Sequence, residues 1–353
     1  MMYSFILRVV LLALSLTLLC SCINEEAYED IPVNEAYNLI IPANFPDVKQ
    51  DVSRIKLTQN GIALGRKLFY DNRLSVDNTI SCAFCHEQQY AFTHHGHQFS
   101  HGINNLEGIR NAPAIQNLIF QDEYFFDGAS NSIEMLSIVP IHNPVEMNES
   151  LSNIVEKLKQ DVVYQKLFHS VYNSKEITSD KILNALAQFL SIIISGDSKY
   201  DKYIRNEGVS LTIDEQKGLQ LFKTHCASCH STDLFTDHSF RNNGLPINSR
   251  LNDTGRYNVT GFDHDKYKFK VPSLRNIALT APYMHDGRFG SLESVLNFYT
   301  DGVKETQNLD PLMKNNEVLG IPLNNEEKKF IIIFLQTLTD NRFITNKNYY
   351  HQT

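Results

Sequence analysis

Two Cys-x-x-Cys-His runs, Cys82-Ala83-Phe84-Cys85-His86 and Cys226-Ala227-Ser228-Cys229-His230, constrain this chain more than anything else in it. Thiols at this spacing reach two vinyl groups on one porphyrin edge, and the next residue turns its imidazole onto the iron. Each run therefore reads as an attachment site for a c-type haem. One run alone is also compatible with zinc or with a redox dithiol, but two, each followed by His, point to haem. The fold must then enclose two covalently bound haems. Cys82, Cys85, Cys226 and Cys229 form the thioethers, and His86 and His230 ligate the irons.

The chain has six Cys, so only Cys20 and Cys22 remain, and no disulfide framework is left to build. Both end a segment in which Arg8 precedes an apolar run over 9–19, too short to span a bilayer and shaped like a secretory signal. Leu19-Cys20-Ser21-Cys22 matches a bacterial lipoprotein processing box. Residues 1–21 are then a discarded signal and Cys22 carries a lipid anchor, which places the protein in the periplasm at a membrane. An ordinary signal peptide cut nearby is the alternative. The acidic, aperiodic stretch that follows gives a tether over 22–50.

With 42% hydrophobic residues in 353, the remaining chain suffices for two domains, each with its own core. A formal net charge of −8 argues against nucleic acid and fits a partner with a basic face. An internal repeat supports two units: Gly65-Arg66-Lys67-Leu68-Phe69 precedes the first haem run and Gly218-Leu219-Gln220-Leu221-Phe222 the second. Each unit closes with a predicted helix. In one, Ile182, Leu186, Phe189 and Leu190 recur after Ser179-Asp180; in the other, Phe330, Ile333, Phe334 and Leu338 follow Asn324-Asn325-Glu326-Glu327. The break falls near Gly196 to Gly208. Residues 236–270, rich in Asn, Asp and Gly, read as loop, and strand content should be small.

Further motifs, Arg110-Asn111-Ala112-Pro113, Asp127-Gly128, Asn143-Pro144-Val145-Glu146-Met147, Val271-Pro272-Ser273-Leu274-Arg275-Asn276 and Ala281-Pro282-Tyr283-Met284-His285-Asp286-Gly287-Arg288, make the chain resemble the bacterial di-haem cytochrome c peroxidases and their MauG-like relatives over residues 55–340. The resemblance implies a mainly α fold of two cytochrome c-like haem domains in tandem with long loops. The N-terminal peroxidatic domain covers 51–200 and the C-terminal electron-transfer domain 201–345. It also implies a calcium ion between them, held by Asn111 and the carbonyls of Thr280 and Pro282, the hard oxygen donors calcium prefers.

In the family, the distal ligand of the second haem lies fourteen residues after the His of the His-Asp-Gly motif, which gives Tyr299 here. Typical peroxidases have Met at that place and MauG-like members Tyr. A phenolate favours ferric iron and lowers the potential, while Met284 and Met313 remain rival ligands. At the first haem, a gapless alignment from Ser100 to Arg110 puts Ile103 where many members carry a displaceable His, implying an open iron. His94, His95, His97 and His101 are nearby alternatives. The resemblance makes Glu146 the group that moves a proton between the peroxide oxygens, with Pro140 keeping the pocket free.

Two departures stand out. Phe126 replaces the family's relay Trp, the chain having no Trp, and Leu136 replaces a polar pocket residue. Interhaem transfer must use tunnelling or other residues, with Tyr124 and Tyr283 as candidates. The leading expectation is a peroxidase that reduces hydrogen peroxide with electrons from a small donor, a cytochrome c or cupredoxin; a homodimer is compatible with it. A MauG-like oxidase of a protein or organic substrate is second, and a plain electron-transfer cytochrome third.

Overall fold

The structure is a computed structural model that describes residues 34–48, 54–315 and 318–351. The signal, the lipidation box and the start of the tether lie outside the described residues. Among the described residues, helices and loops dominate, and no helix is long and apolar enough to cross a membrane.

Two helix crossings organise the chain, and each is dictated by a glycine of the internal repeat. In the first, α1 (Gln59–Phe69) starts on Thr58, whose side chain accepts from Gly61 N, and ends with Arg66 and Lys67 near its negative pole. Four helices follow before its partner: α2 (Cys82–Cys85), α3 (Ile138–His142), α4 (Leu151–Lys159) and α5 (Val162–Tyr172). The partner is α6 (Ser179–Ser191), buried on nearly every face from Ile182 on. A Cβ on Gly65 would fall inside the Ala185 carbonyl oxygen, so the backbones touch. Phe69 packs edge-on against Phe189 at 5.3 Å.

The second crossing repeats this pattern. After α7 (Lys199–Ile204), α8 (Ile213–His225) begins with a Thr212–Glu215 capping box. It meets a helix far along the chain, reached through α9 (Tyr257–Thr260) and α10 (Leu292–Asn297). That helix is α11 (Asn325–Gln336), started by an Asn324–Glu327 capping box. A Cβ on Gly218 would collide with the Phe330 carbonyl, and Phe222 packs on Phe334 at 5.2 Å. The buried stripe of α11 is Ile331, Phe334, Leu335 and, just beyond its end, Leu338. Phe330 and Ile333, expected in that stripe, are only half-buried. Six consecutive large apolar residues, Phe330 to Leu335, make the phase ambiguous, and the Gly218 contact fixes it.

Strand content is small, as expected. Residues β1 (Phe240–Arg241) and β2 (Phe269–Lys270) pair antiparallel, and so do β3 (Lys314–Asn315) and β4 (Val318–Leu319). The long loop over 236–270 is therefore pinned at both ends.

Three features bind the chain across these crossings. Residues 34–48, expected to be tether, pack on the body instead: Tyr37, Leu39, Ile41 and Phe45 lie against the first core, and Tyr37 N donates to Leu57 O at 2.9 Å. Phe343 and Tyr349, from α12 (Asn341–Ile344) and the tail after it, belong to that same core. The predicted break near Gly196 is closely tied: Asp340 Oδ2 accepts from Ser195 Oγ at 3.1 Å and from Gly196 N and Asp197 N at 2.9 Å. Beside it, Arg275 forks onto Asp201 at 2.8 and 2.7 Å with both side chains fully buried, and Arg275 also caps the Phe45 ring at 4.3 Å.

Gly65→Ala and Gly218→Ala should each cost about 1–3 kcal/mol, the overpacking range, read as a lowered denaturation midpoint. Equal stability would show that the crossings relax. Burial alone would raise Asp201, but the Arg275 fork brings it down from 3.8 to about 2. Its contribution is therefore complete above its usual value and is lost as pH falls through about 2. Arg275→Met leaves that carboxylate buried without its counter-charge, held only by Ser198 and Asn44, an expected loss of about 3–5 kcal/mol at neutral pH in denaturant unfolding.

Candidate haem cavity

The first haem run forms its own helical turn, α2, whereas the second continues from the end of α8. Both then present an imidazole in the same way. His86 Nδ1 meets Phe92 O at 2.8 Å; His230 Nδ1 meets Phe235 O at 3.0 Å and Pro272 O at 3.1 Å. Phe92 and Phe235 are both left-handed, at φ +60° and +57°, a strained state for a bulky residue that aims each carbonyl at its imidazole. A carbonyl on Nδ1 fixes that nitrogen as the protonated one and leaves Nε2 with a free lone pair for a metal.

Both imidazoles and all four motif cysteines line one cavity of about 840 Å³, walled by apolar side chains from both cores such as Leu118, Phe125, Leu296 and Leu335. Burial pushes the thiols up, Cys82 and Cys226 to about 12 and Cys85 to about 11. It brings His86 down to about 4, against the pull of Phe92 O, and lowers His230 likewise. Neutral imidazoles, paired thiols and a large apolar cavity fit two c-type haems. Zinc is a poorer fit, since no group of three or more His, Cys, Asp or Glu among the described residues is placed to hold a bare ion.

Most residues singled out from the sequence line this cavity. Glu146 and Pro140 are there with His86, and Asn143 Nδ2 donates to Glu146 Oε1 at 2.7 Å. Burial raises the Glu146 carboxyl and this hydrogen bond pulls the other way, with burial prevailing. Tyr299, Met284 and Met313 also line it. Tyr299 sits in a single π-helical turn, Phe298–Gly302, that continues α10, a local widening common at functional sites. Burial pushes its hydroxyl up to about 12, and an Asn243 hydrogen bond pulls it back. Asn111, Thr280 and Pro282 line the cavity too. Asn111 Nδ2 donates to His97 O at 3.1 Å and Gln98 O at 3.2 Å.

One placement differs from the sequence reading. Ile103 is 3% exposed in the first core and is absent from the cavity lining, where His101 and Gly102 stand instead. Ile103 N donates to Glu146 O at 2.8 Å, and a Cβ on Gly102 would strike the Val145 and Glu146 backbone, so this loop lies tight against the Glu146 segment. Asn104 and Asn105, both φ-positive, bend the loop directly after Ile103. The His101 imidazole turns to its neighbours, with Nε2 3.1 Å from His97 Nδ1.

Two cavity residues had no signal in the sequence. Lys270, on β2, donates from Nζ to Gln121 Oε1 at 2.7 Å and Glu123 O at 2.6 Å, and burial lowers it to about 7. Asn243 donates to Tyr299 Oη at 3.1 Å. In sequence, Asn242-Asn243-Gly244 reads only as a turn.

Comparison with known proteins agrees with this geometry. The family model for di-haem cytochrome c peroxidase matches residues 59–208. The methylamine utilization protein MauG of Methylorubrum extorquens is 35% identical over 285 residues, covering 80% of this chain and 79% of that protein. The cytochrome c551 peroxidase of Nitrosomonas europaea is 34% identical over 285 residues, 78% of this chain and 79% of its own length. A solved MauG-like protein associated with microbial copper homeostasis superposes with a TM-score of 0.80 at 32% identity, covering 89% of this chain and 99% of that one. The chain thus belongs to the di-haem cytochrome c peroxidase and MauG family.

Proposed function

We propose that this chain reduces hydrogen peroxide to water with electrons from a small redox protein, a cytochrome c or cupredoxin, and that peroxide is handled on the His86 side of the cavity. The observation that carries the assignment is Glu146, a carboxyl raised by burial, oriented by Asn143 and lining the same apolar cavity as His86. Reducing peroxide takes two electrons and two protons for each molecule. When bound, the haems supply the electrons.

The chain's own side chains do the rest. Glu146 takes a proton from one peroxide oxygen and returns it to the other, so that the departing oxygen leaves as water; a carboxyl raised toward neutral pH suits both steps. Pro140 offers no donor or acceptor from its side chain and leaves the space beside Glu146 to substrate. On the other side, His230 and Tyr299 would hold the second haem, which would pass electrons toward the His86 side. Residues 51–200 and 201–345 are read as the two haem units in tandem. Calcium between them would be held by Asn111 Oδ1 and the Thr280 and Pro282 carbonyls. Export to the periplasm and a lipid on Cys22 complete the reading.

A second reading, MauG-like oxidation of a protein or organic substrate, is favoured by tyrosine rather than methionine fourteen residues after His285 and by the likeness to MauG. Against it, the chain has no Trp, and oxidation at a distance needs oxidisable steps. Tyr124 and Tyr283, both buried at the cavity wall, are the side chains that serve best.

Glu146→Gln should slow peroxide turnover by ~100-fold with haem content intact, in steady-state assays with reduced cytochrome c. An unchanged rate removes Glu146 from the proton transfer. Robust turnover by the unaltered protein supports the peroxidase, and its absence the oxidase.

A further inference from the structure

Asn243 sits in a turn that leaves its amide no choice of direction. The turn runs from Asn242 to Leu245 directly after β1, and Gly244 bends it at φ +75°, where a Cβ would meet the Val303 side chain and the Lys304 carbonyl. Lys304 N donates to Gly244 O at 2.9 Å and Asp310 N to Asn242 O at 2.8 Å, so the segment after the π-helical turn holds it from outside. The Asn242 amide holds it from within: Oδ1 accepts from Gly244 N at 2.9 Å and Nδ2 donates to Thr306 Oγ1 at 3.0 Å and Gln307 O at 2.7 Å.

In that frame, Leu245 N donates to Asn243 Oδ1 at 3.2 Å. This contact settles which end of the amide is oxygen. The Nδ2 end faces the cavity, where it donates to Tyr299 Oη at 3.1 Å and lies 3.8 Å from Met284 Sδ. One amide therefore touches two of the side chains that compete for the place opposite His230. The two respond differently. A thioether is a weak acceptor, and engaging its sulfur with an N–H takes donor capacity from the metal; a tyrosine oxygen keeps capacity beyond one accepted hydrogen bond. Tyr299 is also braced from behind, since Ile321 N donates to its carbonyl at 2.7 Å and a Cβ on Gly320 would strike the same oxygen. Met284, in contrast, stands at φ +75° in a turn.

We propose that Asn243 is the positioning residue that selects Tyr299 over Met284 as the distal ligand at the His230 site. Its fixed donor holds the tyrosine oxygen in place and occupies the methionine sulfur. The proposal rests on the reading of Tyr299 as that ligand. An outer hydrogen bond of this kind also sets how much charge a ligand gives its metal.

The test uses the oxidised holoprotein. Asn243→Asp keeps the size and the contact with Leu245 N but replaces the donor by an acceptor; Asn243→Leu removes both polar ends. Each is expected to gain the long-wavelength charge-transfer band of methionine on ferric iron, absent from the unaltered protein, and Asn243→Leu is expected to raise the potential of that haem in a spectroscopic redox titration. Adding Met284→Leu to Asn243→Asp should abolish the new band. The spectrum of the His86 haem should not move. Tyr299→Phe separates the two claims. If it leaves the spectrum unchanged, Tyr299 is not the ligand and both fall. If it alters the spectrum while Asn243→Asp and Asn243→Leu change neither band nor potential, Tyr299 stands and the role of Asn243 is overturned.

Discussion

A hydrogen bond from an imidazole Nδ1 to the carbonyl of a left-handed phenylalanine occurs twice in this molecule, and the site depends on it. His86 meets Phe92 O at 2.8 Å and His230 meets Phe235 O at 3.0 Å. Without that contact an imidazole next to two tethered thiols is free to turn; with it, Nε2 is the one nitrogen left for a metal. Phe92 and Phe235 are themselves anchored in the two cores, Phe92 against Phe69 at 6.0 Å and Phe235 against Phe222 at 5.6 Å. Phe69 and Phe222 are the repeat phenylalanines, each four residues past the glycine that lets two helices touch. Helix crossing, core aromatic, carbonyl and imidazole thus form one chain of contacts in each half.

On that common frame the two ends of the cavity are lined differently. Glu146, Pro140 and Asn143 line the cavity together with the first haem run, the Glu146 carboxyl raised by burial and near enough to act on Cys85. Tyr299, Met284 and Met313, residue types that can bind iron, line it from a small core with Leu245, Phe298 and Val303, Tyr299 lying near Cys226 and Cys229 of the second run. The division of labour proposed for the two haems comes from these linings. Repetition of the frame supplies two similar cofactor sites, and local sequence makes them unequal.

Much of this was legible in the sequence, for physical reasons that can be named. Covalent attachment demands a fixed spacing, so the two runs are unmistakable, and helices with polar caps and periodic apolar residues declare themselves, as α6 and α11 did. What failed depended on distant parts of the chain. The phase of α11 is hidden by six consecutive large apolar residues and is set by Gly218, more than a hundred residues away. Ile103 reads as a cavity residue by its place in the loop, yet it is buried in the first core, where Asn104 and Asn105 turn the chain. Residues 34–48 look like tether because their apolar side chains lack a period, yet Phe45 packs on Phe120 at 5.3 Å. Asn243 matters only through partners at positions 284 and 299, which no local pattern reveals.

The central claim is that the two haems differ in coordination, the His86 iron open toward Glu146 and the His230 iron closed by the protein. Electron paramagnetic resonance of the fully oxidised protein tests this most directly, because ferric haem with an open position is high-spin and haem with two strong axial ligands is low-spin. One high-spin and one low-spin signal of equal weight is the expected result. Two low-spin signals, showing a protein ligand on the His86 iron as well, would contradict it.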